Sequence, residues 1–194
     1  AFNKKAKLFD KAKLNLAFQQ FEESRIDRTL NSLTRRTRTE KVTAYSINID
    51  FTKKLGGSHE LFYGIESIVN QVNSEGFSTN IATLEKQSVQ TRYPDVLWFS
   101  NAIYLTDQIQ LNEKLSLEAG IRLSQFAMRA EFDQRFIQLP FEEINLNKLA
   151  LNGSLGMLYR PTDSWVLSAN LSTGFRAPNV DDMGKLFDSE NFSV

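Results

Sequence analysis

The side chains in this sequence best suited to chemistry are Glu66, Glu118, Arg122 and the segment Phe175-Arg176-Ala177-Pro178. Two carboxylates can act as the acid and the base or nucleophile of a glycosidase, provided their separation is right. Nothing in the spacing of Glu66 and Glu118 fixes that separation. Arg176 offers a planar fork of donors suited to carboxylate or phosphate. Pro178 removes a ladder donor and favours an extended residue before it, so strand pairing should end here. Arg176 reads first as part of a strand terminator with a structural ion pair, and second as a ligand contact at the root of a loop. Asp181, Asp182, Asp188 and Glu190 form an acidic stretch without EF-hand spacing, so solvated loop chemistry is its simplest reading. Arg35-Arg36-Thr37-Arg38 reads as a solvated basic run. His59 is the single histidine and sits beside a Gly-Gly turn, a poor place for a catalytic triad. No nucleophile elbow, P-loop or dinucleotide fingerprint occurs.

Composition narrows the classes further. Lys+Arg and Asp+Glu are both 23, so the net charge is zero and nucleic acid is not an expected partner. Without cysteine, a disulfide framework and a thiolate metal site are both impossible, and one histidine argues against a His-rich centre. No resident metal or cofactor is expected. Mean hydropathy is −0.34, and no apolar run is long enough for a membrane-spanning helix. A membrane barrel stays open, because its strands are apolar on one face only. Ala1–Lys13 is basic and lacks the apolar stretch of a signal peptide. Both ends read as cuts in a longer polypeptide.

The elements that would position these residues are strands. Seven segments alternate apolar and polar residues with period two: 11–21, 41–52, 60–70, 97–111, 115–125, 149–160 and 165–174. In the fifth, Leu115, Leu117, Ala119, Ile121 and Leu123 oppose Ser116, Glu118, Gly120, Arg122 and Ser124. The fourth is ambiguous in phase, since Ile103 and Leu105 compete with Trp98 and Tyr104. Glu66, Glu118, Arg122, Asn152 and Asn170 all fall on polar faces. Segments of about ten residues suit a tilted strand crossing a bilayer and exceed the roughly 5–6 residues usual in soluble sheets.

Connections alternate in length. Gly56-Gly57, Asn112-Glu113-Lys114 and Pro161-Thr162-Asp163-Ser164 are tight turns, the last predicted as type I with Pro161 at its first or second position. Between them lie long polar segments, 22–40, 71–95 and 127–147, predicted as loops whose margins, 37–41 above all, could extend the strands. Short periplasmic turns and long external loops are the habit of outer-membrane barrels. The tight turns are therefore expected at the periplasmic side, and Phe175 at the entry to an external loop. Aromatics beside the turns (Phe51, Tyr159, Trp165) suit a lipid-interface belt.

The wording of several segments resembles TonB-dependent outer-membrane receptors. The carriers are ELFYGIES (60–67), AIYLTDQIQLNEKLSLEAGIRLS (102–124) and GSLGMLYRPTDSWVLSANLSTGFRAP (153–178). The resemblance implies an all-β fold: about seven antiparallel strands of a roughly 22-stranded plugged barrel. Residues 1–194 would all belong to that one barrel domain, with the plug and the terminal strands outside this sequence. It also implies a non-enzymatic receptor in the outer membrane of a Gram-negative bacterium. Such a receptor imports a scarce nutrient such as a ferric siderophore or haem, is energised by the TonB complex through the plug, and contacts outer-membrane lipid. Asn179-Val180-Asp181-Asp182 follows the Phe-Arg-Ala-Pro motif directly, which leaves haem specificity unsupported. The competing readings are a soluble antiparallel sandwich that binds carbohydrate, and a glycosidase built on Glu66 and Glu118.

Overall fold

The computed structural model describes residues 2–3, 6–136 and 140–177. It contains one antiparallel sheet, with strands β1 (Phe2–Asn3), β2 (Lys11–Asp27), β3 (Thr34–Leu55), β4 (His59–Asn80), β5 (Lys86–Ser88), β6 (Asp95–Asn112), β7 (Leu115–Glu131), β8 (Glu143–Thr162) and β9 (Trp165–Ser172). The long strands follow one another in an unbroken meander, and β5 is a short appendage on β4. The seven alternating segments are the cores of β2, β3, β4, β6, β7, β8 and β9. Among the described residues there is no second layer, so the sandwich reading fails.

One face of the sheet is apolar and uncovered. Leu16, Tyr45, Ile65, Ile103, Ile121, Leu151, Leu155 and Leu171 all lie on it, and each is exposed. A soluble domain does not leave so large an apolar surface unpartnered; a barrel turns it to lipid. This outer face carries aromatics at one margin. Phe51 and Tyr63 stack with centroids 5.3 Å apart, and Tyr159 and Trp165 sit beside the β8–β9 turn.

The turns at 56–58, 113–114 and 163–164 are tight. Gly56 adopts a φ of +63°, a conformation that glycine enters without Cβ strain. Pro161 and Thr162 do not form the predicted four-residue turn. They end β8 across a register shift between Tyr159 and Thr162, where a missing N–H leaves no gap in a regular ladder.

The predicted long loops are the larger correction. β2 and β3 continue to Asp27 and Thr34, β4 to Asn80, and β7 and β8 to Glu131 and Glu143, leaving connections of 28–33, 81–94 and 132–142. These extensions escape a simple period-two reading because the apolar side changes over. On β7, Leu117, Ile121 and Leu123 face outward, whereas Phe126, Met128 and Ala130 face inward and are buried. On β8, Ile144 and Leu146 point to the same inner cluster, while Glu143, Asn145 and Asn147 face out. Below the changeover the strands follow the rule of a membrane barrel; above it, that of a water-soluble sheet. The same crossing explains the ambiguous phase of β6: Ile103 and Leu105 serve the outer face, Trp98 the inner cluster.

Candidate functional site

Polar side chains from four strands converge at mid-height on the inner face. The ladder Asp50–Gly64–Tyr104–Arg122–Asn152 runs straight across β3, β4, β6, β7 and β8, with Glu66 one inward position above Gly64. Arg122 Nη2 donates to Glu66 Oε1 at 2.6 Å, and its Nε to Ser124 Oγ at 3.2 Å. The guanidinium carbon lies 5.9 Å from the Tyr104 ring centroid, within cation–π reach. The Tyr104 hydroxyl donates to Asp50 Oδ1.

Gly64 makes this arrangement possible. A Cβ there would lie 2.8 Å from Cζ of Tyr104 and closer still to the Ile49 carbonyl oxygen. The tyrosine ring thus lies over bare backbone, an aromatic filling the space a glycine leaves. Both signature fragments, Tyr63-Gly64-Ile65-Glu66 and Gly120-Ile121-Arg122, meet in this one network. Tyr104 and Asp50 were not singled out from sequence. For Asp50 the signal was present, since it falls on the polar face of an apolar-faced strand; for Tyr104 the ambiguous phase of 97–111 hid it.

The remaining predicted residues lie elsewhere on the inner face. Asn152 is half-buried on β8, opposite Arg122. Glu118 and Asn170 sit nearer the turns, each paired to Gly156 from opposite sides. Glu118 stands two strands and six ladder positions from Glu66, about 20 Å along the strand axis at the usual rise per residue. No glycosidase carboxylate pair is that far apart, so the hydrolase reading fails on geometry.

The other end of the inner face is apolar. Val72, Val96, Phe126, Met128, Ala130 and Phe132 form a buried cluster, with Trp98, Ile144 and Leu146 packed against it. Trp98 and Phe126 lie 5.7 Å apart, tilted at 40°. β9 leaves the sheet halfway up β8: Ser172 pairs with Ser154, and Thr173 N–H donates to Gly153 O at 2.9 Å. β9 ends at Ser172, before the Phe-Arg-Ala segment, and the chain then carries Ala177 against the apolar cluster. Phe175 and Arg176 are exposed. Pro178, Asp181, Asp182, Asp188 and Glu190 lie outside the described residues.

Above the cluster, connection 81–94 folds back over β4. Val89 N–H donates to Gly76 O at 3.0 Å, and Arg38 Nε to Gln90 O at 3.4 Å. Beneath it Glu40 is only 6% exposed, and neither carboxylate oxygen has a hydrogen-bond partner among the described residues. Glu40 lies beyond the outer apolar stretch of β3, which runs 45–51. Burial raises its pKa, with Glu23 adding to the rise and Arg92, Arg25 and Arg38 opposing it. A cavity of about 400 Å³ opens between connection 81–94 and connection 132–142, lined by Phe77, Phe132 and Phe136 together with Glu75, Asp95 and Arg135. Among the described residues no group of three or more His, Asp or Glu is placed to hold a metal ion.

The comparisons agree with this geometry. The family described as TonB dependent receptor-like, beta-barrel matches residues 2–192. No curated protein sequence matches the chain. Among solved structures, copper transporter OprC superposes with a TM-score of 0.70 at 12% identity, covering 88% of this chain and 28% of its own. The ferric citrate transporter FecA in its unliganded form gives 0.56 at 20% identity, covering 84% and 25%. The chain thus spans about a quarter of the length of the structures it matches. Members of the family are transporters rather than enzymes. An uncovered apolar outer face, a polar inner face, tight turns at one end only and a match along almost the whole chain lead to one statement: this chain belongs to the TonB-dependent receptor β-barrel family.

Proposed function

We propose that this chain is part of the barrel of an outer-membrane receptor that imports a ferric siderophore or a similar organic metal chelate, energised through TonB. The location would be the outer membrane of a Gram-negative bacterium, with bilayer lipid against the outer face. The inner network of Asp50, Glu66, Tyr104 and Arg122 would then face a plug domain, the route to TonB. The observation that carries this reading is family membership together with the two-faced sheet. FecA is named for ferric citrate and OprC for copper, so the family's cargo ranges from chelates to metal.

The cavity between connections 81–94 and 132–142 favours a chelate over a bare ion. Three phenylalanines suit the organic surface of a wrapped metal, while Glu75, Asp95, Glu131 and Asp133 outnumber Arg135, which Asp133 already holds at 2.7 Å, so the lining suits a neutral or cationic chelate better than an anionic one. Haem is the weaker choice within the same class. The test is uptake of radiolabelled iron, offered as a panel of siderophores, by cells making or lacking the full receptor. Receptor-dependent and TonB-dependent uptake of at least one chelate is expected. Uptake of free copper alone would overturn the choice of cargo.

A further inference from the structure

The cavity between connections 81–94 and 132–142 has two acidic walls, one with its own cation and one without. On the first, Arg135 Nη2 lies 2.7 Å from Asp133 Oδ2, and the guanidinium carbon stands 5.6 Å from the Phe136 ring centroid. A carboxylate and an aromatic face together hold a cation there. The second wall carries Glu75, Phe77 and Asp95. Glu75 and Phe77 are two residues apart on β4 and so share a face. Asp95 Oδ1 accepts from the Ser74 N–H at 2.8 Å, which seats its carboxylate beside the backbone of Glu75. Both carboxylates are open to solvent, and among the described residues neither has an ion-pair partner.

The sheet itself asks for a cation at this wall. Asp95 stands directly opposite Glu131, and Glu131 opposite Glu143. Like charges facing each other across strands are destabilising. Arg129 offsets this at one end of the row, with Nε 3.1 Å from Glu131 Oε1 and Nη2 2.9 Å from Glu143 Oε2. No such partner reaches Asp95 among the described residues. A metal ion does not fit, because no group of three or more His, Asp or Glu is placed to hold one. An organic cation does: Phe77 offers its carbon skeleton a surface, and about 400 Å³ is room for it. The wall from connection 81–94 is preformed. It is seated so close on β4 that a Cβ at Gly76 would lie 2.6 Å from the Val89 carbonyl oxygen.

We propose that Glu75, Phe77 and Asp95 bind a primary ammonium group carried by the imported chelate, so that the receptor takes amine-bearing, cationic chelates in preference to neutral ones. The inference rests on the transport reading and narrows its substrate class. An ammonium presents three donors from one point, enough to bridge two carboxylates. The methylenes next to it lie on the Phe77 ring. The seat repeats, for a ligand, what Asp133 and Phe136 do for Arg135.

The test uses the full receptor containing this chain, purified in detergent, and two probes that differ at one nitrogen: ferrioxamine B, a hydroxamate chelate ending in a primary ammonium, and its N-acetyl derivative. Calorimetric titration reads both affinities. Ferrioxamine B should bind about tenfold more tightly, and added salt should narrow the gap. Glu75→Gln/Asp95→Asn should bring ferrioxamine B down to the affinity of the acetylated probe and leave the acetylated probe unchanged, which also shows that the variant is folded. Glu75→Gln alone, an exposed change, should remove part of the preference. Equal affinity of the two probes for the native receptor, no binding of ferrioxamine B, or a preference that survives the double variant would overturn the proposal. Failure of the transport reading would show separately, as cells that take up no chelate of the siderophore panel through this receptor.

Discussion

Arg122 on β7 reaches past β6 to Glu66 on β4, closing an ion pair of 2.6 Å across two strand intervals on the inner face. Their side chains keep 37% and 24% exposure, so water screens the pair. Arg122→Met is expected to cost about 1 kcal/mol, with the double variant Arg122→Met/Glu66→Gln costing less than the sum of the singles. Urea unfolding in bilayers checks the cycle; strictly additive losses would mean that the two side chains do not cooperate.

Gly64 should tolerate no side chain. The methyl group of Gly64→Ala would collide with the Tyr104 ring and with the Ile49 carbonyl. Overpacking of this kind costs about 1–3 kcal/mol. Tyr104→Ala in the same background should return only part of the loss, because the backbone clash remains. The same unfolding assay reads both.

Ile121 points outward, is 51% exposed and lies well above the aromatic margin of its part of the sheet. Ile121→Arg should destabilise the inserted barrel by about 2–4 kcal/mol if it sits near the bilayer midplane. Gly156→Ser, on the inner face with only ordinary Cβ neighbours, should change stability by less than about 0.5 kcal/mol. Equal penalties would argue against lipid on the outer face.

Glu40 predicts a pH dependence. Its folded pKa is raised by burial, so the unfolded state ionises first as pH rises. The resulting penalty is absent below the unfolded value, grows between the two pKa values, and is constant above the folded one. Glu40→Gln should therefore strengthen amide protection at 38–42 and 74–78 at neutral pH and change little in acid. Hydrogen exchange at two pH values measures this; a gain that persists in acid would point to a cause other than ionisation.

The lower halves of the strands were legible because lipid and a wet lumen impose a strict alternation, and residues 115–125 or 149–160 display it almost without exception. The upper halves were not. At Phe126, Met128 and Ala130 the apolar positions move to the opposite face, and a sequence that changes sides halfway looks like a loop. Arg122 and Glu66 could be assigned to polar faces from period two alone. Their pairing could not, because register across β6 depends on turn geometry at 56–58 and 113–114. Glu40 was hidden for a related reason: it is a charge in a place where its neighbours' pattern calls for something else.

The changeover at Phe126 has a practical corollary for handling the protein. Each long hairpin answers to two solvents along its length. Stripping away detergent threatens the lower hairpins, whose outward leucines and isoleucines then meet water. The aliphatic contacts of Val72, Val96, Met128 and Ala130 are already closed upon one another and gain nothing from a bilayer. A protease offered to the delipidated protein should thus nick near the tight turns before it reaches the far ends of the same strands.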